Sequence, residues 1–405
     1  MQATGWSWWH QFPPALRELA TVRLVASFGA GGILYLTPMV FHQQEFSAAS
    51  IGLGLALAAL AGTIGRFISG ALLDQGRSCG TPVLLAAACG FAGDGFLLQA
   101  STMAGYVAGQ LCIGMAGGLY WPAVELAVPQ CAHPLPSAKG YALVRSSDAL
   151  GVATGTLSGS LLAAAGLLRG VYWIDIAAVI ALAALLLLKP LPRAAKASDS
   201  AEGQRPLRQW LPALVPMLAI SVVATSMPAL MQSALPLDLV RGGLNRAGQP
   251  ESWSALLIGL QLGLLVLIQW PVGRALALRP VGVGLGLSLV CFSGGTLLLA
   301  ASAFSRHGIA LVVIALAVVA LGEAAFLPTA TEAVIELSPK GHGGLAMALF
   351  SQCFALSAFA APLLAGVLLD RHGHGVSLWL ATALTCGLSL LLVRPVQRRS
   401  KRRPT

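Results

Sequence analysis

Residues 139–160 read Lys-Gly-Tyr-Ala-Leu-Val-Arg-Ser-Ser-Asp-Ala-Leu-Gly-Val-Ala-Thr-Gly-Thr-Leu-Ser-Gly-Ser. The stretch is apolar enough to sit in a bilayer, yet it carries Arg145 and Asp148, followed by Gly151, Gly155 and Gly159 at a regular spacing of one per turn. At about 100° per residue, Asp148 and the three glycines fall in one narrow sector of a helix, with Arg145 about 60° to one side. Small residues let two helix backbones approach closely, and an ionised group at membrane depth must face protein or water rather than lipid. The stretch predicts a tightly packed membrane helix whose inward face holds charge.

The whole chain agrees with that reading. Its 405 residues are 56% hydrophobic and 10% charged, with a mean hydropathy of +0.78, whereas about a quarter of a soluble domain is charged. Apolar runs long enough to cross a hydrocarbon layer about 30 Å thick recur throughout. They place helices near 19–41, 50–72, 80–99, 104–127, 139–165 and 171–188, then near 210–236, 252–272, 281–303, 309–332, 342–368 and 376–393. Residues 1–18, with Trp6, Trp8, Trp9 and Phe12 around Pro13-Pro14, suit an interfacial aromatic anchor rather than a signal peptide. The break at 189–209 is polar and basic (Lys189, Arg193, Lys196, Arg205, Arg208) and reads as a cytoplasmic linker. It divides a bundle over 1–188 from a second over 210–393, and residues 394–405 form a basic tail.

The net charge of +10 raises nucleic acid as a partner, but basic residues in a polytopic chain fix orientation instead. With the amino terminus inside, only Arg169, Arg241, Arg246, Arg306 and Arg371 of the 25 Lys and Arg fall outside. Both termini are therefore expected in the cytoplasm, most simply at a plasma membrane. The seven cysteines are scattered like small core residues, and His372-x-His374 is too little for a metal site. No nucleotide loop or cofactor motif is visible, so no cofactor is expected, and a monomer in the bilayer is the expected form.

The two halves repeat. When Pro122 of Leu-Tyr-Trp-Pro-Ala is laid over Pro328 of Ala-Phe-Leu-Pro-Thr, Ala149-Leu150 meets Ala355-Leu356 and Thr156 meets Pro362. Gly155 and Gly159 then meet Ala361 and Ala365, small against small. Parallel repeats of this kind are a plan of secondary transporters.

On these residues the chain resembles the major facilitator superfamily along nearly its whole length. Gly70-Ala-Leu-Leu-Asp74-Gln75-Gly76-Arg77 is similar to the family's loop signature Gly-x-x-x-Asp-Arg-x-Gly-Arg, without its first Arg. Gln110, Gly114 and Pro122 follow the family's helix 4 pattern, with Gln where an Arg often stands. Gly151-x-x-x-Gly155-Thr156-x-x-Gly159-Ser160 looks like the glycine signature of antiporters, with Thr for Pro, and helix 11 keeps that proline in Ala361-Pro362-Leu-Leu-Ala365-Gly366. The resemblance implies twelve transmembrane helices in two pseudo-symmetric six-helix bundles, an all-α fold that works by alternating access. It also implies efflux of amphipathic small molecules by antiport against protons, with sodium as the other possible ion. The alternative is an uptake carrier or facilitator for a sugar-like or other neutral solute.

Charges that hydrocarbon would expel are the candidate machinery, since each costs at least about 2.5–3.5 kcal/mol at the bilayer centre. Arg66, Glu125, Arg145 and Asp148 all fall in the cytoplasmic half of the first bundle, and the resemblance adds Asp74 and Arg77. They form a fixed ion-pair network, a gate whose pairs open in one access state, or a substrate contact. Glu323 lies mid-helix 10 with no basic residue expected near it, which suits a proton carrier or a hydrogen-bonded structural glutamate. Helix 10 lines the central cavity in the resembled family. Tyr120, Trp121, Gln232 and Gln261 are candidate cavity residues or simple packing. Asp94 and Asp175 are expected in structural or interfacial places, and Glu336 to Lys340 as a favourable i, i+4 pair. An intramembrane acyl or glycosyl transferase would need a cluster of His, Asp, Glu or Cys at one membrane face, and none is visible. A scaffold would need larger loops.

Overall fold

The computed structural model describes residues 9–135, 137–193, 207–276, 279–338 and 343–400. Trp6, Trp8, Lys196, Arg205, Lys340 and the tail's Lys401, Arg402 and Arg403 lie outside the described residues. The chain is all-α. The first half contains α1 (Pro14–His42), α2 (Ala48–Asp74), α3 (Gly80–Gln99), α4 (Met103–Ala132), α5 (Ser137–Ala164) and α6 (Gly170–Leu188). The second contains α7 (Leu207–Arg241), α8 (Glu251–Leu276), α9 (Val281–Ser302), α10 (Ile309–Leu337), α11 (Gly343–His372) and α12 (Val376–Ser400).

All twelve expected helices form, and most run several residues past the apolar stretch that announced them. Hydropathy marks where a segment crosses hydrocarbon, whereas the backbone ladder continues as long as it has partners. Among the described residues eleven helices are long and apolar enough to span a membrane. The exception is α5, whose Lys139, Arg145 and Asp148 sit among Ser, Thr and Gly. The helix whose polarity first indicates function is therefore the one that hydropathy alone leaves out.

Two compact units emerge, residues 1–40 with 57–199, and residues 41–56 with 200–405. In the first, α3 packs on α4 and α6, and α5 on α4. α1 and α5 meet almost backbone to backbone: a Cβ on Gly151 or Gly155 would collide with the Leu24 or Phe28 carbonyl oxygen of α1. Thr156, where the antiporter pattern has proline, brings its hydroxyl to 3.0 Å from the Gly31 carbonyl oxygen of α1. Gly159 lies instead against the Leu36 side chain. Likewise Gly114 and Gly118 of α4 lie on the backbone of Ala58 and Gly62 in α2. An apolar core that includes Leu16, Leu19, Val83, Val128, Leu143 and Leu186 closes the end of this unit nearest the linker. There Gly76, with a φ of 75°, ends α2, and Ser78 and Cys79 hydrogen-bond the carbonyl oxygens of Leu191 and Pro192.

The second unit repeats these pairings with other residues. α9 packs on α10 and α12, α8 on α10, and α7 on α11. Between α7 and α11 the Thr225 and Ser357 hydroxyls meet at 2.8 Å, and Ser357 donates to the Val222 carbonyl oxygen at 2.7 Å. Asp238 and Arg246 form a fully buried ion pair at 2.9 Å, and Asp238 also accepts from Gly375 N–H and Trp379 Nε1. This network ties the end of α7 to the start of α12. The first turns of α2 belong to this unit: the Asp370 carboxylate of α11 accepts from the Ala48 and Ala49 N–H groups at 3.0 and 2.7 Å and pairs with Arg241. Pro362 and Gly366 of the helix 11 motif pack here, their backbone against Gly52 and Ala48.

Candidate functional site

The expected charge network divides in a way its sequence spacing does not announce. Asp148 pairs with Arg23 of α1, Nη2 to Oδ1 at 2.8 Å, and not with Arg145. Ser27, one turn along α1, donates its hydroxyl to the same oxygen at 2.5 Å. Arg23 is 4% exposed in its side chain, and its guanidinium lies 3.7 Å from the ring centroid of Trp121 and 5.1 Å from that of Tyr120. A desolvated guanidinium over an indole gains about 2 kcal/mol or more from the ring quadrupole. Carboxylate, hydroxyl and two aromatic rings thus hold one buried cation.

Three helices make this possible. α1 approaches α5 at Gly151 and Gly155, so that Arg23 and Ser27, four residues apart, both reach the Asp148 side of α5. α4 brings Tyr120 and Trp121, whose rings meet edge to face at 6.4 Å. Trp121 stays 38% exposed, so one aromatic surface remains open beside a neutralised charge.

Arg145 pairs with Glu125 at 3.2 Å, and Tyr141 donates to the Glu125 carbonyl oxygen. Both charged groups are substantially exposed, and such a pair contributes only about 0–1 kcal/mol. Arg145→Ala is therefore expected to shift unfolding in detergent by less than about 1 kcal/mol. A larger loss would mean that the pair is part of the folded core.

Arg66 departs from the expected network. It makes no hydrogen bond or ion pair among the described residues, and its Nη1 is buried without a partner. Arg23 stands beside α4 and α5 because α1 lies against α5 at Gly151 and Gly155. Asp74 and Arg77 are both exposed at the end of α2, with no side-chain partner among the described residues. Arg23 was missed although it lies inside the first apolar run. Its signal was a basic residue four positions before Ser27 in a segment otherwise poor in polar groups.

In the second unit Glu323 is half-buried and makes no hydrogen bond or ion pair among the described residues. Its neighbour Gly322 lies against Cys291 and Phe292 of α9, and Ser288 donates to the Gly322 carbonyl oxygen. Glu323 is turned about 100° from that contact. Gln261 is buried on α8 with both amide atoms unpartnered, and Gln232 is half-buried on α7. No group of three or more His, Cys, Asp or Glu suited to a metal occurs among the described residues.

Spanning helices in two repeated bundles, with charges held in their interior, define a polytopic membrane protein. The chain belongs to the major facilitator superfamily, whose family model matches residues 19–286 and 217–405. It is an integral multi-pass membrane protein that transports small molecules and is not an enzyme. No curated protein sequence matches it significantly. Solved structures with the same fold include a transporter of the POT family in complex with 5-aminolevulinic acid, at a TM-score of 0.81 and 11% identity over 96% of this chain and 97% of that one. The nucleoside transporter NupG aligns at 0.74 and 14% identity, covering 96% of this chain and 100% of its own. A peptide transporter, POT, in complex with sulfate aligns at 0.77 and 14% identity over 96% and 95%.

Proposed function

We propose that this chain is a proton-coupled exporter of small amphipathic organic molecules, working as a monomer by alternating access. It is placed in the plasma membrane with both termini in the cytoplasm, the orientation favoured by the distribution of its basic residues. The observation that carries the substrate class is the half-exposed Trp121 over the Arg23–Asp148 pair. That surface offers aromatic contact without a net charge. It suits a flat or weakly polar solute better than a phosphate or a dicarboxylate, which would need unpaired cations. The backbone-to-backbone contact at Gly151 and Gly155 supports the antiporter comparison made on α5. Glu323, with no basic partner among the described residues, is the proton-carrying group.

The test is flux into liposomes that contain the purified protein, with a pH gradient imposed and a panel of amphipathic dyes set against nucleosides and dipeptides. Dye movement driven by the gradient supports the proposal, and movement of the nucleosides or dipeptides alone favours the uptake alternative. In Glu323→Gln, gradient-driven flux is expected to fall at least about tenfold, within the range general acid–base groups supply. Exchange of dye for dye at equal pH should survive. Unchanged pH dependence in this variant would remove Glu323 from coupling.

A further inference from the structure

Asp94 of α3 and Asp175 of α6 are far apart in sequence and were expected in unremarkable places. They face each other inside the first unit, 0% and 7% exposed, where α3 packs on α6 and Gly90 lies beside Val179 one turn away. When both are ionised neither has a hydrogen to donate, and the two Asp94 oxygens then have no hydrogen-bond partner among the described residues. Two like charges in contact, out of water, are strongly unfavourable. A single proton held between the two carboxyl groups removes one charge and supplies the missing hydrogen bond.

Among the described residues no cation does this instead. From α1 the facing residue is Gly29, on which a Cβ would collide with Asp175 Oδ1, and Thr37 accepts from the Tyr172 hydroxyl at 3.2 Å. α4 brings Tyr106 and Gln110, both buried, and α6 itself brings Tyr172. Arg169, at the start of α6, donates to the carbonyl oxygens of Leu98 and Ala100 at 3.0 and 2.6 Å. On α5 and the neighbouring stretches of α1 and α4, Asp148 is engaged with Arg23 and Arg145 with Glu125, while Lys139 is exposed near the start of α5.

We propose that the Asp94–Asp175 pair is a proton-binding site, holding one exchangeable proton between the two carboxyl groups. The site is separate from Glu323. It touches α1 through Gly29, on the helix that carries Arg23 and Ser27 to Asp148. Gain or loss of the proton changes the charge against which α1 is packed, so occupancy of the pair is communicated to the aromatic surface at Trp121.

The test reads the C=O stretching band of protonated carboxyl groups by infrared difference spectroscopy during an acid-to-alkaline titration of the purified protein. The wild type should show a protonated band that disappears on the alkaline side, accompanied by a fall in melting temperature. Asp94→Asn and Asp175→Asn should each lose that band and the alkaline fall in melting temperature, because the amide supplies the hydrogen permanently. Glu323→Gln should retain both. A wild-type band that never titrates would mean a fixed structural proton and overturn the proposal. So would a band that persists in either Asn variant, or one that responds to sodium rather than to pH.

Discussion

Replacing Asp148 with Asn is expected to cost about 3–5 kcal/mol of folding stability, because it leaves the buried Arg23 guanidinium without its counter-charge. Transport should be lost with it. The fold and the function are separable here by a second variant. Arg23→Met combined with Asp148→Leu removes both charges and fills the space, and replacing a buried pair by apolar residues is often neutral or stabilising. The double variant is expected to melt near the wild-type temperature and still fail to transport, since the cation beneath Trp121 is gone. Unfolding in detergent and flux in liposomes measure the two effects. Melting of Asp148→Asn at the wild-type temperature would mean that the carboxylate does not compensate Arg23. Full flux in the double variant would reduce the pair to a packing device.

Gly155→Val is expected to be as damaging by a different route. The added carbons would occupy the position of the Phe28 carbonyl oxygen, a backbone atom of α1 that cannot swing aside. Overpacking usually costs about 1–3 kcal/mol, occasionally more, and a collision with backbone belongs at the upper end. Gly159→Ala provides the comparison. Its Cβ would meet the tip of the Leu36 side chain rather than backbone, so the cost should stay at the lower end, about 1 kcal/mol. Expression yield and melting temperature of the two variants should separate clearly. Equal behaviour would mean that α1 and α5 are not locked at Gly155.

The architecture was legible because membrane helices declare themselves by length and hydropathy, and the repeat was marked by Pro122 and Pro328. Gly151 and Gly155 lie against the α1 backbone, a close approach that the absence of a Cβ permits locally. Partner choice was not legible. Arg145 and Asp148 are three residues apart and on neighbouring faces of one helix, yet each turns to a different helix for its counter-charge. That choice depends on which helix the packing brings alongside, and sequence spacing carries no information on it. The Asp94–Asp175 contact was hidden for the same reason. Hydropathy even worked against α5, where Asp148 counts as a charge although Arg23 and Ser27 hold it inside the protein.

The most direct test of proton-coupled export is the internal pH of liposomes containing the protein, followed as an amphipathic substrate is added outside at equal starting pH. Exchange of substrate for protons predicts that the interior becomes more alkaline as substrate enters, with no change in liposomes lacking the protein. An interior that acidifies would mean cotransport in the uptake direction, and substrate entry with no change in internal pH would contradict coupling to protons altogether.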